Sequence, residues 1–178
     1  DNWVKKEIPA HLPERIPCKL VKWQPNFTQK FRAEIQAIAS PEDREPGFLH
    51  LLVMNTEAFS TQKGASAAQK FIKLNPNCLT ILDESTSIKN KSAQRTKNLI
   101  KVGQASKYRR ILTGSPITKS PMDLFSQCMF LDQEALGFAS FYSFQGRYAV
   151  IQRRSMGAHS FNHVSGYRRL DELGEKLD

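Results

Sequence analysis

The chain has 178 residues, of which 40% are hydrophobic and 24% charged, and its 26 Lys and Arg against 17 Asp and Glu give a net charge of +9. That length supports one hydrophobic core and hardly two, and no apolar run approaches the ~20 residues that a bilayer span requires. The positive balance favours an anionic partner such as nucleic acid or nucleotide, with a basic surface kept for solubility as the alternative that charge alone leaves equally open.

The first segment, DNWVKKEIPAHLPE (1–14), is polar and broken by Pro9 and Pro13, unlike a signal peptide. With no initiating methionine and a last stretch, DELGEKLD, that reads as helix, the chain is expected to be a piece of something longer. Short apolar and β-branched runs, CKLVKW (18–23), FLHLLVMN (48–55), CLTILD (78–83) and RRILTG (109–114), predict strands. Between them NFTQKFRAEIQAIAS (26–40), TQKGASAAQKFIKLN (61–75) and SAQRTKNLIKVG (92–103) predict amphipathic helices, the last with Ser92 as N-cap and Gly103 as its end. This alternation predicts an α/β fold, a parallel sheet flanked by helices on both faces. After Pro121 the pattern turns mostly helical, in PMDLFSQCMFLD and then EALGFASFYSFQGRYAVIQ, and QRRSMGAHSFNHVSGYRR (152–169) reads as an exposed loop.

Three cysteines, Cys18, Cys78 and Cys128, are odd in number, far apart and without a CxxC, so they read as buried thiols of a cytoplasmic protein. Trp3 and Trp23 read as packing residues. Phe138, Phe141, Tyr142, Phe144 and Tyr148 have the spacing of a packed helical protrusion rather than of a base-stacking platform. His159 and His163 lack a cysteine pair nearby and read as loop residues.

The chemistry concentrates in TILDESTSIKN (80–90), where an apolar strand runs into Asp83 and Glu84. Working residues of parallel α/β sheets lie at the carboxyl ends of strands. Phosphate chemistry needs one carboxylate to hold Mg²⁺ and another to orient the attacking water, and adjacent Asp and Glu supply both. Taken alone, the same residues suit a turn into solvent. A second strand, however, ends in ILTGSPI (111–117) at what should be the same sheet edge.

ILDEST resembles the Walker B element, motif II, of superfamily-two helicases, and LTGSPI followed by DLFSQCMFLD resembles motif III of the Snf-type branch, the DNA translocases related to chromatin remodellers. The DEST variant, the IKN after it and the compact size are most similar to phage-type and bacterial members; DNWVKKEI resembles the segment after motif Ia and LLVMNTEAFS that of motif Ib. The resemblance implies a RecA-like first motor lobe of the P-loop NTPase type over 1–130, and a helical protrusion and loop over 131–178 leading toward a second lobe. It implies ATP and Mg²⁺ as cofactors, DNA, or alternatively RNA, as partner, and a cytoplasmic or nucleoid-associated setting, a host cytoplasm if phage-encoded. Asp83 would bind Mg²⁺ and Glu84 would polarise the hydrolytic water. Thr86 stands where the family has His or Asp and would hydrogen-bond Thr113 or Ser115, while Thr113, Gly114, Ser115 and Pro116 would relay nucleotide state to the DNA surface.

A G-x-x-x-x-G-K-[ST] phosphate loop is missing from the sequence. GSPITKS (114–120) lacks the second glycine and places Pro116, which has no N–H, inside the would-be nest, so it is read as a decoy and the true loop is expected in sequence upstream of Asp1. Lys89, Lys91, Arg95 and Lys97 follow motif II and are candidate phosphate contacts, as against a solvated helix face. Lys107, Arg109 and Arg110 precede motif III, where the two arginines more simply support a strand entrance. The alternatives to a motor component are a non-enzymatic nucleic-acid-binding module of the same descent and another Mg²⁺-dependent phosphotransferase.

Overall fold

A computed structural model describes residues 2–157 and 159–177. The four apolar runs are strands: β1 (Cys18–Lys22), β2 (Leu49–Val53), β3 (Leu79–Leu82) and β4 (Tyr108–Ile111). β1 pairs with β2 and β3 with β4, both in parallel, with Leu20 opposite Leu51 and Leu82 opposite Ile111. A helix follows each of the first three strands: α2 (Gln29–Ala39), α3 (Gln62–Leu74) and α4 (Gln94–Ala105). Ahead of β1 a π-helical turn (Trp3–Glu7) runs into α1 (Ile8–His11). The fold is therefore α/β with parallel strand pairs, as the alternation of patterns predicts.

The strands do not join into one sheet. Among the described residues β1–β2 and β3–β4 are separate two-stranded sheets, because periodicity specifies that a run is a strand and not which strand lies beside it. One result is apolar surface left open on the second pair, where Leu79, Ile81 and Tyr108 are exposed, Ile81 to 52%.

Local chemistry sets the helix boundaries. Thr28 and Thr61 cap α2 and α3 by accepting the N–H of Phe31 and Gly64 at 3.2 and 3.4 Å. At α4 the cap position belongs to Ala93 instead of Ser92, since the Ser92 N–H donates to the Asn90 side chain at 3.0 Å and holds that residue in a turn before the helix. Nor does Gly103 end α4. The helix continues to Ala105, and Gly103 is a contact residue: a Cβ there would lie 2.7 Å from both the Phe130 ring and the Phe130 carbonyl.

Phe130 belongs to α5 (Leu124–Leu131), which is buried nearly all round its circumference. On one side it meets Ile72, Leu82, Ile88, Leu99 and Val102; on the other, Leu124, Phe125 and Cys128 pack with Leu136, Phe144, Tyr148 and Leu173. Burial pushes the Cys128 thiol up to about 11, whereas Cys18 and Cys78 are only half-buried because they lie at the ends of short strands. A third cluster gathers Trp23, Phe27 and Phe31 edge to face, with centroids 5.3 to 5.8 Å apart.

Beyond α5, α6 (Phe141–Tyr148) buries Phe144 and Tyr148 completely while Tyr142 faces outward. The stretch expected to be a loop is instead ordered as two antiparallel strands, β5 (Ala149–Met156) and β6 (His159–Tyr167), followed by α7 (Leu170–Glu175). His159 and His163 thus stand on a strand. Both faces of this hairpin are largely exposed, so no apolar face exists to write a period of two into the sequence. No helix among the described residues is long and apolar enough to cross a membrane.

Replacing Gly103 by Val should destabilise the chain by about 1–3 kcal/mol, because the new methyl groups meet a neighbouring backbone as well as a ring. Gly114→Ala, with nothing within 4 Å of its Cβ position, should leave stability within about 0.5 kcal/mol. Urea unfolding of both variants checks the contrast.

Candidate active site

β3 ends by burying Leu82 in the core, and the next two residues carry the carboxylates. Asp83 is half-buried with both oxygens engaged: Oδ1 accepts the Glu84 N–H at 2.9 Å, and Oδ2 accepts the Trp3 indole N–H at 2.6 Å. Trp3 is accordingly no packing residue, being 40% exposed and tied to the acid by its polar atom. Glu84 adopts φ 49°, ψ 55°, the left-handed region, which it shares only with Arg169 among the described non-glycine residues. A non-glycine residue there costs about 1–2 kcal/mol, and such strain concentrates at functional sites.

That turn sends Glu84 outward and Ser85 inward. Ser85 is fully buried, and its hydroxyl donates to Gln127 Oε1 at 2.6 Å. The Ser85 N–H donates to the Leu112 carbonyl at 3.1 Å, and the Leu112 N–H donates to the Leu82 carbonyl at 2.9 Å, so the ends of β3 and β4 are stitched together. From α5, the Gln127 amide then donates to the carbonyls of Pro116 and Asp123 at 2.7 and 2.9 Å. One buried side chain therefore joins the turn after β3, the 111–117 loop and the start of α5.

The expected contact from Thr86 to Thr113 or Ser115 is not made. The left-handed residue at 84 directs the hydroxyl of residue 85 inward instead, and the link runs from Ser85 through Gln127. Thr113 and Ser115 bond locally: Thr113 Oγ1 accepts the Ser115 N–H at 3.2 Å, and the Ser115 hydroxyl donates to the Ile117 carbonyl at 2.8 Å. Gly114 lies between them in open space.

GSPITKS has no free nest for a phosphate. The N–H groups of Thr118, Lys119 and Ser120 all donate to Asp123 Oδ2, at 3.1, 2.9 and 3.5 Å, and the Thr118 hydroxyl joins them at 2.8 Å. Burial by itself would raise the pKa of Asp123, but these hydrogen bonds, led by that from Lys119, outweigh it and hold the carboxyl below its ordinary range.

Three of the four candidate nucleic-acid contacts already have partners. Lys89 donates to Thr118 Oγ1 at 2.8 Å, Lys91 lies over the Phe141 and Tyr142 rings at 4.1 and 3.8 Å, and Arg95 pairs with Glu57 at 3.2 Å. Lys97 is exposed and unpaired among the described residues. As hard oxygen donors, Asp83 and Glu84 suit a hydrated divalent ion, which needs only one or two carboxylates and keeps its waters. No group of three His, Cys, Asp or Glu that could hold a metal ion converges among the described residues.

Sequence reasoning missed Trp3, Ser85, Asp123 and Gln127. Two of these leave a trace: Gln127 is the one amide in the apolar run LFSQCMFL, and Ser120 with Asp123 has capping-box spacing. Trp3 leaves none, since its partner is 80 residues away.

Ser85→Ala should cost about 1–3 kcal/mol, the penalty of a buried acceptor left without its donor, whereas Thr86→Ala should stay within about 0.5 kcal/mol; denaturant midpoints separate the two. Asp123 gives a pH signature. Because folding lowers its pKa, its contribution is present above the unfolded value of about 3.9 and is lost as pH falls through the lower folded value. Asp123→Asn should therefore be less stable than the parent at neutral pH, with the gap closing through that acid window in a pH series of unfolding curves.

The model of the SNF2-related domain matches residues 20–165. Over 99 residues the chain is 32% identical to the DNA annealing helicase and endonuclease ZRANB3 of Bos taurus, covering 56% of this chain and 9% of that protein. It is 28% identical over 131 residues to Protein CHROMATIN REMODELING 19 of Arabidopsis thaliana, covering 69% of this chain and 17% of the relative. Among solved structures it is similar to the Sulfolobus solfataricus SWI2/SNF2 ATPase core in complex with dsDNA, at a TM-score of 0.40 and 19% identity, over 76% of this chain and 29% of that one. The chain thus spans less than a fifth of either curated relative. With the match running from β1 into β6, the chain belongs to the SNF2-related domain family.

Proposed function

We propose that this chain is the part of an ATP-dependent DNA translocase that supplies the acid pair for hydrolysis and the loop that senses it, as the Walker B element and motif III. The observation that carries the reading is the strained turn at Glu84, which presents two carboxylates at a strand end and ties that end through Ser85 and Gln127 to the 111–117 loop. A turn kept only to enter solvent has no need of a left-handed glutamate or of a buried amide behind it.

Asp83 would hold Mg²⁺, with Oδ2 exchanging the Trp3 indole for the hydrated ion. When bound, Mg²⁺ would offset charge on the phosphate oxygens. Glu84, whose carboxylate is exposed, would orient a water and accept its proton. Movement at Glu84 would reach Pro116 through Gln127, so Thr113, Gly114 and Ser115 would report on nucleotide state, with Thr86 beside the turn. Lys97 would contact DNA phosphate directly; Lys89, Lys91 and Arg95 would do so by exchanging their present partners. The phosphate loop and the second lobe would come from other parts of the protein. The unpaired edge of β4, beside a shallow groove lined by Leu79, Tyr108, Leu112 and Leu131, is where a further strand would add.

In a protein that also carries the phosphate loop, Glu84→Gln should lower turnover by about 10²-fold or more while ATP affinity survives, because an amide accepts no proton. Asp83→Asn should weaken nucleotide affinity in the presence of Mg²⁺. ATPase rates beside nucleotide titrations decide it, and normal turnover in Glu84→Gln would remove the motor reading. The chain by itself should hydrolyse ATP at background rate. It should also bind DNA without sequence preference and with affinity that falls steeply as salt rises; salt-independent binding in a titration series would contradict this.

A further inference from the structure

The β5–β6 hairpin takes no part in the site described above, and its composition is unusual for a surface element. From residue 135 to residue 170 there is no Asp or Glu, but there are five arginines (Arg147, Arg153, Arg154, Arg168 and Arg169), two histidines and no lysine. Its base is fixed. Arg147 and the Tyr148 hydroxyl both donate to Glu172, at 2.6 to 3.0 Å, and Arg168 donates to the carbonyls of Arg147 and Gly146 at 3.1 and 2.7 Å. Tyr148 and Ala149 are buried in the cluster around Phe144. From this base the strands project for eight residues of β5, about 26 Å at the rise of an extended strand.

Register determines what each face of the ribbon presents, since residues opposite one another share a face. Arg154 lies opposite Phe161, Met156 opposite His159 and Gln152 opposite His163. One face is therefore a row of cation, aromatic ring, thioether, amide and imidazoles. Phe161 is 49% exposed and Met156 76%. Outside the backbone ladder, the side chains of Arg154 and Phe161 make no hydrogen bond, ion pair or ring contact among the described residues. On the opposite face Arg153 is aligned along the ribbon by Ser160, at 3.0 and 3.3 Å.

We infer that this hairpin is a binding arm for single-stranded DNA, in which a base stacks on Phe161 beside Met156 while Arg154, on the same face, meets a flanking phosphate. This rests on the reading that the protein acts on DNA. Charge selects the partner: the hairpin carries two arginines, Arg153 and Arg154, and no carboxylate on either strand, which is complementary to a polyanion, and an acid-free apolar peptide would leave them without counter-charge. Exposed apolar side chains select the strandedness. In a duplex the base faces are already stacked, so Phe161 and Met156 would remain uncovered, whereas an unpaired base covers an aromatic ring and still presents phosphates on either side.

The test compares a labelled single-stranded oligothymidine with a mixed-sequence duplex, titrated with the whole chain over a salt series. Phe161→Ala should weaken oligothymidine binding about 10-fold without altering its salt dependence and should leave duplex binding unchanged. Arg154→Gln should flatten the single-strand slope of log affinity against log salt by about 0.7, the loss of one phosphate contact. Both positions are exposed, so thermal unfolding of the variants should match the parent and exclude misfolding as the cause. A photoreactive benzoylphenylalanine in place of Met156 should cross-link to the oligothymidine. Unchanged affinity in both variants, equal loss on duplex and single strand, or cross-links formed only to protein would each overturn the inference. Those outcomes leave the hydrolysis reading standing, because that reading is decided by Glu84→Gln turnover. A chain that binds neither DNA would overturn this inference and the DNA part of the broader reading together.

Discussion

The interaction on which the rest of the site depends is the buried hydrogen bond from Ser85 to Gln127, together with the left-handed residue that makes it possible. Two adjacent carboxylates at the end of a parallel strand repel each other and cannot both turn inward. A left-handed residue at Glu84 separates them: Asp83 is held by the Trp3 indole and the Glu84 N–H, Glu84 is exposed, and the chain turns so that Ser85 enters the core. The backbone strain of about 1–2 kcal/mol is offset by Ser85 gaining a hydroxyl bond to Gln127 and a backbone bond to Leu112. Without Gln127 the turn would have a buried hydroxyl and no partner, and its strained geometry would have little to hold it.

Gln127 can hold that position because α5 is packed on nearly every side. An amide flanked by Leu124, Phe125, Cys128 and Phe130 is desolvated, so its hydrogen bonds to Ser85, Pro116 and Asp123 are all needed. The helix starts from Asp123, whose carboxylate gathers three consecutive N–H groups of the preceding loop. An internal anion thereby occupies the place where a phosphate nest would otherwise open, and the loop gains a defined shape instead of a ligand. Rigid support behind an exposed loop is what a segment needs if it is to respond to one neighbour and report to another.

The two ends of the chain contrast in how they use aromatic and basic residues. In the α/β part several of these side chains are consumed internally, although Lys97 and Tyr108 are exposed: Trp23, Phe27 and Phe31 pack on one another, Lys91 lies over Phe141 and Tyr142, and Arg95 pairs with Glu57. In the β5–β6 hairpin Arg154 and Phe161 are left unengaged on a rigid base. Surface that is apolar, cationic and held in place points outward for a partner, whereas the same residue types against the core serve stability.

Sequence alone determined the elements whose residues face a core. The strands within 18–23, 48–55, 78–83 and 108–114 were legible because apolar and β-branched residues concentrate in them whether or not this chain covers them, and Asp83 and Glu84 stood out because two acids interrupt such a run. The family resemblance was legible for a related reason, as its motifs are short and contiguous. What the tertiary structure decided was everything that depends on residues distant in sequence or on surfaces without a buried face. Trp3 meets Asp83 and Ser85 meets Gln127 across 80 and 42 positions, and no local pattern encodes a partner. The motif resemblance points to Thr86 and the structure to Ser85, because a linear motif carries no record of a left-handed turn, which directs the hydroxyl of residue 85 inward. Gly103 looked like a helix end because a glycine needed for close approach and one needed for chain reversal are the same residue. The hairpin over 149–167 escaped because strands exposed on both faces need no hydrophobic alternation; backbone pairing creates them, and pairing leaves no mark on side-chain periodicity.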